Sequence, residues 1–191
     1  MNEYNKQYAD NLKKERKYKE LFEYLSAFAE SNIPQALNFL SECYYYGHGT
    51  EKNHTKCFEL DLRAADYNEP DAIATLGFNY ECGVGTKKDI DKAISLYIKA
   101  SNMGSAKGTT FLAQCYEEGI GVEKDVTKAF GLYSQMAKAG HAKAQRLLGQ
   151  CYEYGIGTDV DEKKAFEMYK SAAEQDSAIA QRLLGKCYEY G

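Results

Sequence analysis

Three residues of types that bind metal ions lie in one short segment of the chain. His54, Cys57 and Asp61 are spaced at i, i+3 and i+7, so they would share one face of a helix. Imidazole, thiolate and carboxylate groups are all zinc ligands, although zinc sites normally show paired, tightly spaced ligands, which this set lacks. A metal site is therefore one hypothesis for these residues. The alternative is that they are polar replacements near the end of a repeat array, where they meet water, and that the protein binds no cofactor.

The histidines of the chain do not belong to a recognisable catalytic arrangement. Nucleophilic catalysis needs a nucleophile and a general base that are held together. The chain has only three histidines, and His141 stands in a turn. No Ser-His-Asp or Cys-His arrangement is evident, and the S-x-x-K motif with its K-T-G partner is absent. We predict that the protein is not an enzyme and keep hydrolase activity as an alternative hypothesis.

A Gly-x-Gly element occurs four times, and glycine-rich loops of this kind can bind phosphate. A phosphate-binding loop follows a strand and opens a helix. Here a helical pattern precedes each element, and the elements recur every 36 residues. We therefore interpret the first glycine as the end of a helix and the second as a turn residue. The elements are Gly47-His48-Gly49, Gly83-Val84-Gly85, Gly119-Ile120-Gly121 and Gly155-Ile156-Gly157.

Other residue types recur at the same step, which identifies the chain as an array of repeats. A leucine column contains Leu40, Leu76, Leu112, Leu148 and Leu184. A tyrosine column contains Tyr44, Tyr80, Tyr116, Tyr152 and Tyr188. A lysine column contains Lys56, Lys92, Lys128 and Lys164.

One repeat unit is predicted to be two helices joined by the glycine loop. The apolar residues of 142–154 fall on one helical stripe, and Gly155 can adopt the left-handed conformation that ends a helix. Asp161 is a good N-cap for a second helix over 162–175, which should end near Asp176. We call the two helices of a unit helix A and helix B. The predicted fold class is all-α, a solenoid of 36-residue helix–loop–helix repeats.

The two ends of the array carry incomplete units. Residues 6–31 are in register with helix B, so we predict one lengthened helix there and ten helices in all. The last segment, 178–190, is a helix A without a helix B and should expose Leu183, Leu184 and Tyr188. We expect that end to continue into a further domain, to bind a partner or to pair with a second copy. The predicted division is a capping half repeat at 1–33, repeats at 34–69, 70–105, 106–141 and 142–177, and a half repeat at 178–191.

The fourth repeat shows the pattern most completely, at Ala144, Leu148, Gly149, Tyr152, Gly155, Gly157, Asp161, Lys164, Ala165, Tyr169, Ala172 and Ala173. This pattern closely resembles the Sel1-like repeat, a relative of the tetratricopeptide repeat. The resemblance implies a right-handed α-α superhelical solenoid with a concave groove, and a role as an adaptor between proteins. The first repeat departs from the pattern at His48, Asn53, Cys57 and Asp61, where other repeats have Val or Ile, Asp, Ala and Tyr.

Four of the six cysteines share one column of helix A, at Cys43, Cys115, Cys151 and Cys187. Equivalent residues of adjacent units are on the order of 10 Å apart, whereas the Cα atoms of a disulfide lie within about 7 Å. A related group of secreted bacterial proteins has a bridge between helices A and B. That bridge needs a cysteine near the end of helix B, where this chain has Ala65, Ser101, Ala137 and Ala173. We expect buried free thiols and a reducing compartment.

In solenoids of this type helix A lines the inner, concave surface. The helix A positions that point away from the hydrophobic core therefore form the candidate partner-binding groove. The first column is Asn38, Ala74, Thr110, Arg146 and Arg182. The second is Glu42, Phe78, Gln114, Gln150 and Lys186, and the third is Tyr45, Glu81, Glu117, Glu153 and Glu189. The glutamates of the third column could hold a basic or amide-rich peptide, with Phe78 and Tyr45 as apolar contacts. The alternative is that they are solvated helix formers.

Charge and hydropathy limit the kinds of partner and the cell locations that we expect. The net charge is −4 with both signs interspersed, and the basic stripe that nucleic acid demands is absent. The sequence contains no run of about 18 apolar residues, the length that a membrane-spanning helix needs. The start of the chain lacks the apolar segment of a secretory signal, so we expect a cytoplasmic protein, although a processed chain would look the same. The main hypothesis is a non-enzymatic scaffold that binds a protein or an extended peptide, and the alternative is self-assembly through the last helix.

Overall fold

The computed structural model is entirely helical in the part of the chain that it describes, residues 4–175 and 177–190. Two short helices and a 3₁₀ turn precede four helix pairs and a last single helix. The α-helices are α1 (Lys6–Lys14), α2 (Tyr18–Ser26), α3 (Pro34–Tyr46), α4 (His54–Asp66), α5 (Pro70–Cys82), α6 (Ile90–Asn102), α7 (Ala106–Glu118), α8 (Val126–Lys138), α9 (Ala142–Tyr154), α10 (Glu162–Ala173) and α11 (Ala178–Tyr190). The predicted all-α repeat fold is confirmed.

The fourth repeat forms the two helices that its sequence predicts. Helix α9 ends at Tyr154, and Gly155 follows with a left-handed φ of 69°. The side chain of Asp161 accepts a hydrogen bond from the amide of Lys164 at 3.0 Å, so it caps the start of α10 as expected. This helix ends at Ala173, and the predicted end near Asp176 lies outside the described residues.

The second glycine of the loop, at Gly85 and at Gly157, has a role beyond that of a turn residue. A Cβ atom on Gly85 would overlap the carbonyl oxygen of His54, at the start of α4. A Cβ atom on Gly157 would overlap that of Val126, at the start of α8. The loop backbone therefore packs directly on the first turn of the preceding helix B, and only glycine permits this approach.

The prediction of one long helix over residues 6–31, and with it the count of ten helices, is wrong. The chain turns at Arg16, which has a left-handed φ of 59°. The amide of Lys17 donates to the carbonyl of Leu12 at 2.9 Å, and the amide of Arg16 donates to that of Lys13 at 3.2 Å. This is the Schellman pattern of a helix end. No glycine or proline marks it in the sequence, which has only a run of charged residues of both signs there.

The described residues form two compact units, one up to Gly108 and one from Thr109. The core of the first combines small and aliphatic residues of α1 to α5, among them Leu12, Leu25, Leu37, Leu60 and Ala72. The core of the second contains a buried tyrosine among smaller residues of α7 to α9, at Ala113, Ala129, Tyr133, Ala144 and Leu148. No described helix combines the length and the hydrophobicity that crossing a bilayer would need.

The last helix exposes less apolar surface than its sequence predicts. Leu183 is buried against Ala165 and Tyr169 of α10, and Leu184 packs partly against the same cluster. The prediction that Leu183 is exposed is therefore wrong, because one side of α11 still faces α10. Tyr188 is exposed over 69% of its surface, although its ring meets that of Phe166 edge-on at 5.3 Å.

Candidate functional site

Three of the four glutamates of the third groove column bind buried tyrosines of helix B. Within the first unit, the hydroxyl of Tyr97 donates to Glu81 at 2.5 Å. Within the second unit, the hydroxyl of Tyr133 donates to Glu117 at 2.7 Å, and that of Tyr169 donates to Glu153. All three tyrosines are at most 1% exposed. These three glutamates are therefore not merely solvated helix formers, because each holds a buried tyrosine in place.

Burial and the glutamate partners together keep the tyrosine hydroxyls protonated. Burial raises the pKa of Tyr133 above its usual range, and the hydrogen bond to Glu117 adds to that effect. The pKa of Tyr169 is raised by burial and then by its bond to Glu153. A neutral hydroxyl that donates to a carboxylate is a strong, charge-assisted hydrogen bond. Each bond therefore ties helix A to helix B inside a repeat.

Glycines in the middle of helix A make room for these rings. A Cβ atom on Gly77 would lie 2.7 Å from the Cε1 atom of Tyr97. A Cβ atom on Gly149 would lie 2.6 Å from the same atom of Tyr169. Glycine in a helix interior costs stability, so these positions require a packing reason. This recurrence was the sequence signal that could have revealed the buried tyrosine.

The first repeat replaces this arrangement with a buried polar cluster. Asp61 occupies the tyrosine position and is fully buried. Its Oδ2 atom accepts from the side-chain amide of Asn79 at 2.7 Å and from the thiol of Cys57 at 3.5 Å. Burial raises the pKa of Asp61 to about 6, against the opposing effect of its hydrogen-bond donors. The expectation that these replacements meet water is wrong for Asp61 and Cys57.

The structure does not assemble the candidate metal site. Cys57 and Asp61 are in contact, but His54 is exposed, and its ring stacks on Tyr45 with centroids 5.5 Å apart. Within residues 4–175 and 177–190, no group of three His, Cys, Asp or Glu side chains could hold a metal ion.

In the first unit, the second and third groove columns bring two aromatic rings together. The rings of Tyr45 on α3 and Phe78 on α5 meet edge-on, with centroids 6.3 Å apart, and both are partly exposed. Tyr46, which is 56% exposed, adjoins Tyr45 at 4.7 Å. Glu42 forms an ion pair with Lys13 of α1. The structure therefore brings together the two apolar contacts that the sequence predicts.

In the first unit, the two residues of the first groove column face partly into the protein interior. Ala74 is fully buried, and Asn38 is partly buried. The Oδ1 atom of Asn38 is buried without a hydrogen-bond partner among the described residues. These two positions contribute less exposed surface than the sequence predicts.

In the second unit, the same columns carry polar and cationic side chains. Arg146 on α9 is partly buried and donates from Nη1 to the side-chain oxygen of Gln150 at 2.7 Å. Gln114 on α7 accepts from Lys143 at 3.4 Å, whereas Thr110 is buried. Three further column residues are exposed on α11, and these are Arg182, Lys186 and Glu189.

The recurring lysine and tyrosine columns contact each other in every repeat. Lys128 lies 4.0 Å from the centroid of the Tyr116 ring and donates to its hydroxyl at 2.7 Å. Lys92 and Tyr80 repeat this contact at 4.2 Å. The equivalent pairs Lys56–Tyr44 and Lys164–Tyr152 lie at 5.2 and 5.3 Å. These columns are therefore explained by cation–π contacts within the fold.

All six cysteines are free. The buried thiols predicted for the helix A column are confirmed at Cys43, Cys115 and Cys151, and Cys187 is half-buried. Burial raises the pKa of Cys43 to about 11 and that of Cys151 to about 12. The thiolate is the nucleophilic form of cysteine, so these column thiols are unreactive.

Comparison with known protein families and solved structures follows the same repeats. The Sel1 repeat matches the chain at residues 34–66, 70–105, 106–141, 142–177 and 178–191. A Sel1 repeat protein from Oxalobacter formigenes is 35% identical, with 89% of this chain and 69% of that chain covered and a TM-score of 0.71. A comparison with curated proteins finds no match.

Two further solved structures are similar over most of the chain. The protective antigen c5321 of uropathogenic Escherichia coli is 28% identical, with 91% of this chain and 37% of that chain covered and a TM-score of 0.62. The cysteine rich protein B of Helicobacter pylori is 26% identical, with 70% of this chain and 96% of that chain covered and a TM-score of 0.54.

Proposed function

The chain belongs to the Sel1 repeat family. From that premise we propose that it is a non-enzymatic scaffold, which binds a protein or an extended peptide on the concave, helix A face, where the A helices point away from the core. Proteins of this family generally act as protein-interaction scaffolds. The observation that carries the proposal is the partly exposed aromatic pair of Tyr45 and Phe78, which adjoins the exposed Tyr46. Aromatic and arginine side chains supply most of the binding energy of protein interfaces.

The absence of catalysis is part of this proposal. Its support is that the protonated thiols of the helix A column, including Cys43 and Cys151, lack nucleophilic character. We also propose a cytoplasmic location, because free buried thiols are typical of reducing compartments.

Site-specific photo-crosslinking tests the binding surface. The photoreactive residue p-benzoylphenylalanine replaces Tyr45 in one variant and Tyr67, which is 53% exposed at the end of α4, in a matched control. Both variants are exposed to extract of the source cells with and without excess unlabelled protein. We expect discrete adducts at position 45 that the excess protein removes. Identical adducts from both positions, or none from position 45, would contradict the proposal.

Self-assembly through α11 is a second candidate function. Its support is the exposure of Ile179 over 52% and of Tyr188 over 69% of their surfaces. Multi-angle light scattering over a range of concentrations tests it. Self-assembly predicts a mass that rises with concentration and returns to the monomer value in Tyr188→Glu. A concentration-independent monomer would exclude this candidate.

A further inference from the structure

Arg146 on α9 is a partly buried cation with no carboxylate partner in the described part of the chain. Its guanidinium group donates a hydrogen bond to the neutral side chain of Gln150, one turn further along the helix. Burial lowers the pKa of its guanidinium group. Removing a charge from water costs free energy unless an opposite charge compensates. The fold therefore holds a guanidinium group that an external anion could satisfy.

The two glutamates nearest in the repeat pattern do not provide that anion. Glu117 and Glu153 accept hydrogen bonds from Tyr133 and Tyr169. Burial is the main cause of the lowered pKa of Arg146, and the nearby Tyr169 and Tyr133 oppose it. Because burial raises the pKa of both tyrosines, their hydroxyls stay protonated and offer the guanidinium group no negative charge at physiological pH.

The corresponding positions on α11 add positive charge to the second unit. Arg182 stands at the register position of Arg146, and Lys186 stands at that of Gln150. Both are exposed, and neither belongs to an ion pair within residues 4–175 and 177–190. Glu189, also exposed on α11, is the opposing charge at these positions. The helix A surface of this unit therefore carries three cations, Arg146, Arg182 and Lys186, that form no ion pair among the described residues.

We propose that the second unit binds an acidic, extended peptide segment and that Arg146 pairs with one of its carboxylates, while Arg182 and Lys186 provide weaker contacts. The inference rests on the proposed function and specifies the chemistry of the partner. Arginine binds a carboxylate through two parallel hydrogen bonds, which a glutamine partner cannot match. This reverses the expectation that the glutamate column selects a basic segment.

Selection from a random peptide library tests the proposal. Phage-displayed peptides of about twelve residues are panned at physiological salt against wild type, Arg146→Gln and the control Lys170→Gln, which removes an exposed lysine from α10. Circular dichroism melting of each variant establishes that it is folded. We expect Asp and Glu to be enriched in peptides selected by wild type and by the control, and the enrichment to be lost with Arg146→Gln.

The outcomes separate this inference from the proposed function. If no peptide is enriched on any folded protein, the proposed peptide-binding function fails. If peptides are enriched but are neutral or basic, or if acidic peptides bind Arg146→Gln equally well, only the inference about the acidic partner is overturned. For one selected peptide, fluorescence anisotropy should show a loss of affinity of about 10- to 100-fold in Arg146→Gln, as expected for a hydrogen bond between charged groups.

Discussion

The first and fourth repeats share one helical framework but fill the space between their helices differently. In the fourth, the buried ring of Tyr169 occupies the space that Gly149 leaves, and its hydroxyl binds Glu153. In the first, Asp61 stands at the tyrosine position, and Ser41 stands at that of the glycine. The large tyrosine beside a glycine in the fourth repeat is thus replaced by a smaller aspartate beside a larger serine in the first.

The residues that would bond to the buried side chain differ between the two repeats as well. Tyr45 replaces the glutamate of the other repeats, and its ring contributes to the exposed aromatic surface. Asn79 on α5 replaces the column cysteine and donates to Asp61. The residue at one buried position of helix B therefore varies together with the residue that helix A presents at its surface. A buried tyrosine engages the glutamate, whereas a buried aspartate is accompanied by a tyrosine that faces outward.

Removing the buried ring should have the largest effect on stability. We expect Tyr169→Ala to lower the free energy of unfolding by about 3–5 kcal/mol, because it leaves a cavity and an unsatisfied Glu153. Urea denaturation measures the change. The control is Tyr188→Ala, which removes an exposed tyrosine from α11 and should have a much smaller effect. Equal losses in both variants would show that Tyr169 is not a core residue.

The buried carboxyl group of Asp61 should make the first repeat sensitive to pH. Its pKa is raised from an ordinary value of 3.8 to about 6, mainly by burial. Between about pH 4 and pH 6 the folded protein keeps a proton that the unfolded chain has released, so stability falls as the pH rises through this window. The loss from this group should reach about 3 kcal/mol above pH 6 and be absent in Asp61→Asn.

Urea unfolding at several pH values between 4 and 7 measures that difference. The matched control is Asp66→Asn, which removes an exposed carboxylate from the same helix. If wild type and Asp61→Asn show the same dependence on pH, burial of the carboxyl group is not its cause.

Two helix glycines of the second unit should respond to alanine with opposite signs. A Cβ atom on Gly149 would press on the Tyr169 ring, whereas one on Gly131 of α8 meets nothing within 4 Å. We expect Gly149→Ala to destabilise the protein by about 1–3 kcal/mol through overpacking. Gly131→Ala should stabilise it by about 0.5–1 kcal/mol, because alanine favours a helix. Thermal melting compares them, and a stabilising Gly149→Ala would contradict the packing account.

The cation–π contacts should give the smallest effect. Lys128→Met keeps the aliphatic stem but removes the ammonium group above Tyr116. We expect Tm to fall by about 1–4 °C, in line with cation–π contacts at exposed sites. The control is Lys138→Met at the end of α8, which removes an exposed lysine from the same helix. A Tm change in Lys138→Met as large as that in Lys128→Met would assign the effect to net charge.

The repeat fold was predictable because its signals are local and recur. The caps at Asp161 and Gly155 and the bounds of α9 follow from residue type and a fixed step. The turn at Arg16 was missed because a helix end without glycine or proline depends on backbone geometry that residue types do not announce. The candidate surface was only partly predictable. Column positions identified Tyr45, Phe78 and Arg146, but the Glu153–Tyr169 bond joins two helices and needs their packing.

A partner of the second unit meets both the cation of Arg146 and the carboxylate of Glu153. The most direct measurement is the affinity of one selected acidic peptide, by isothermal titration calorimetry, for wild type, Arg146→Gln and Glu153→Gln. Because Glu153 is bound to Tyr169 and Arg146 has no carboxylate partner among the described residues, we predict a loss of at least about tenfold in Arg146→Gln and little change in Glu153→Gln. A larger change in Glu153→Gln than in Arg146→Gln would contradict the account.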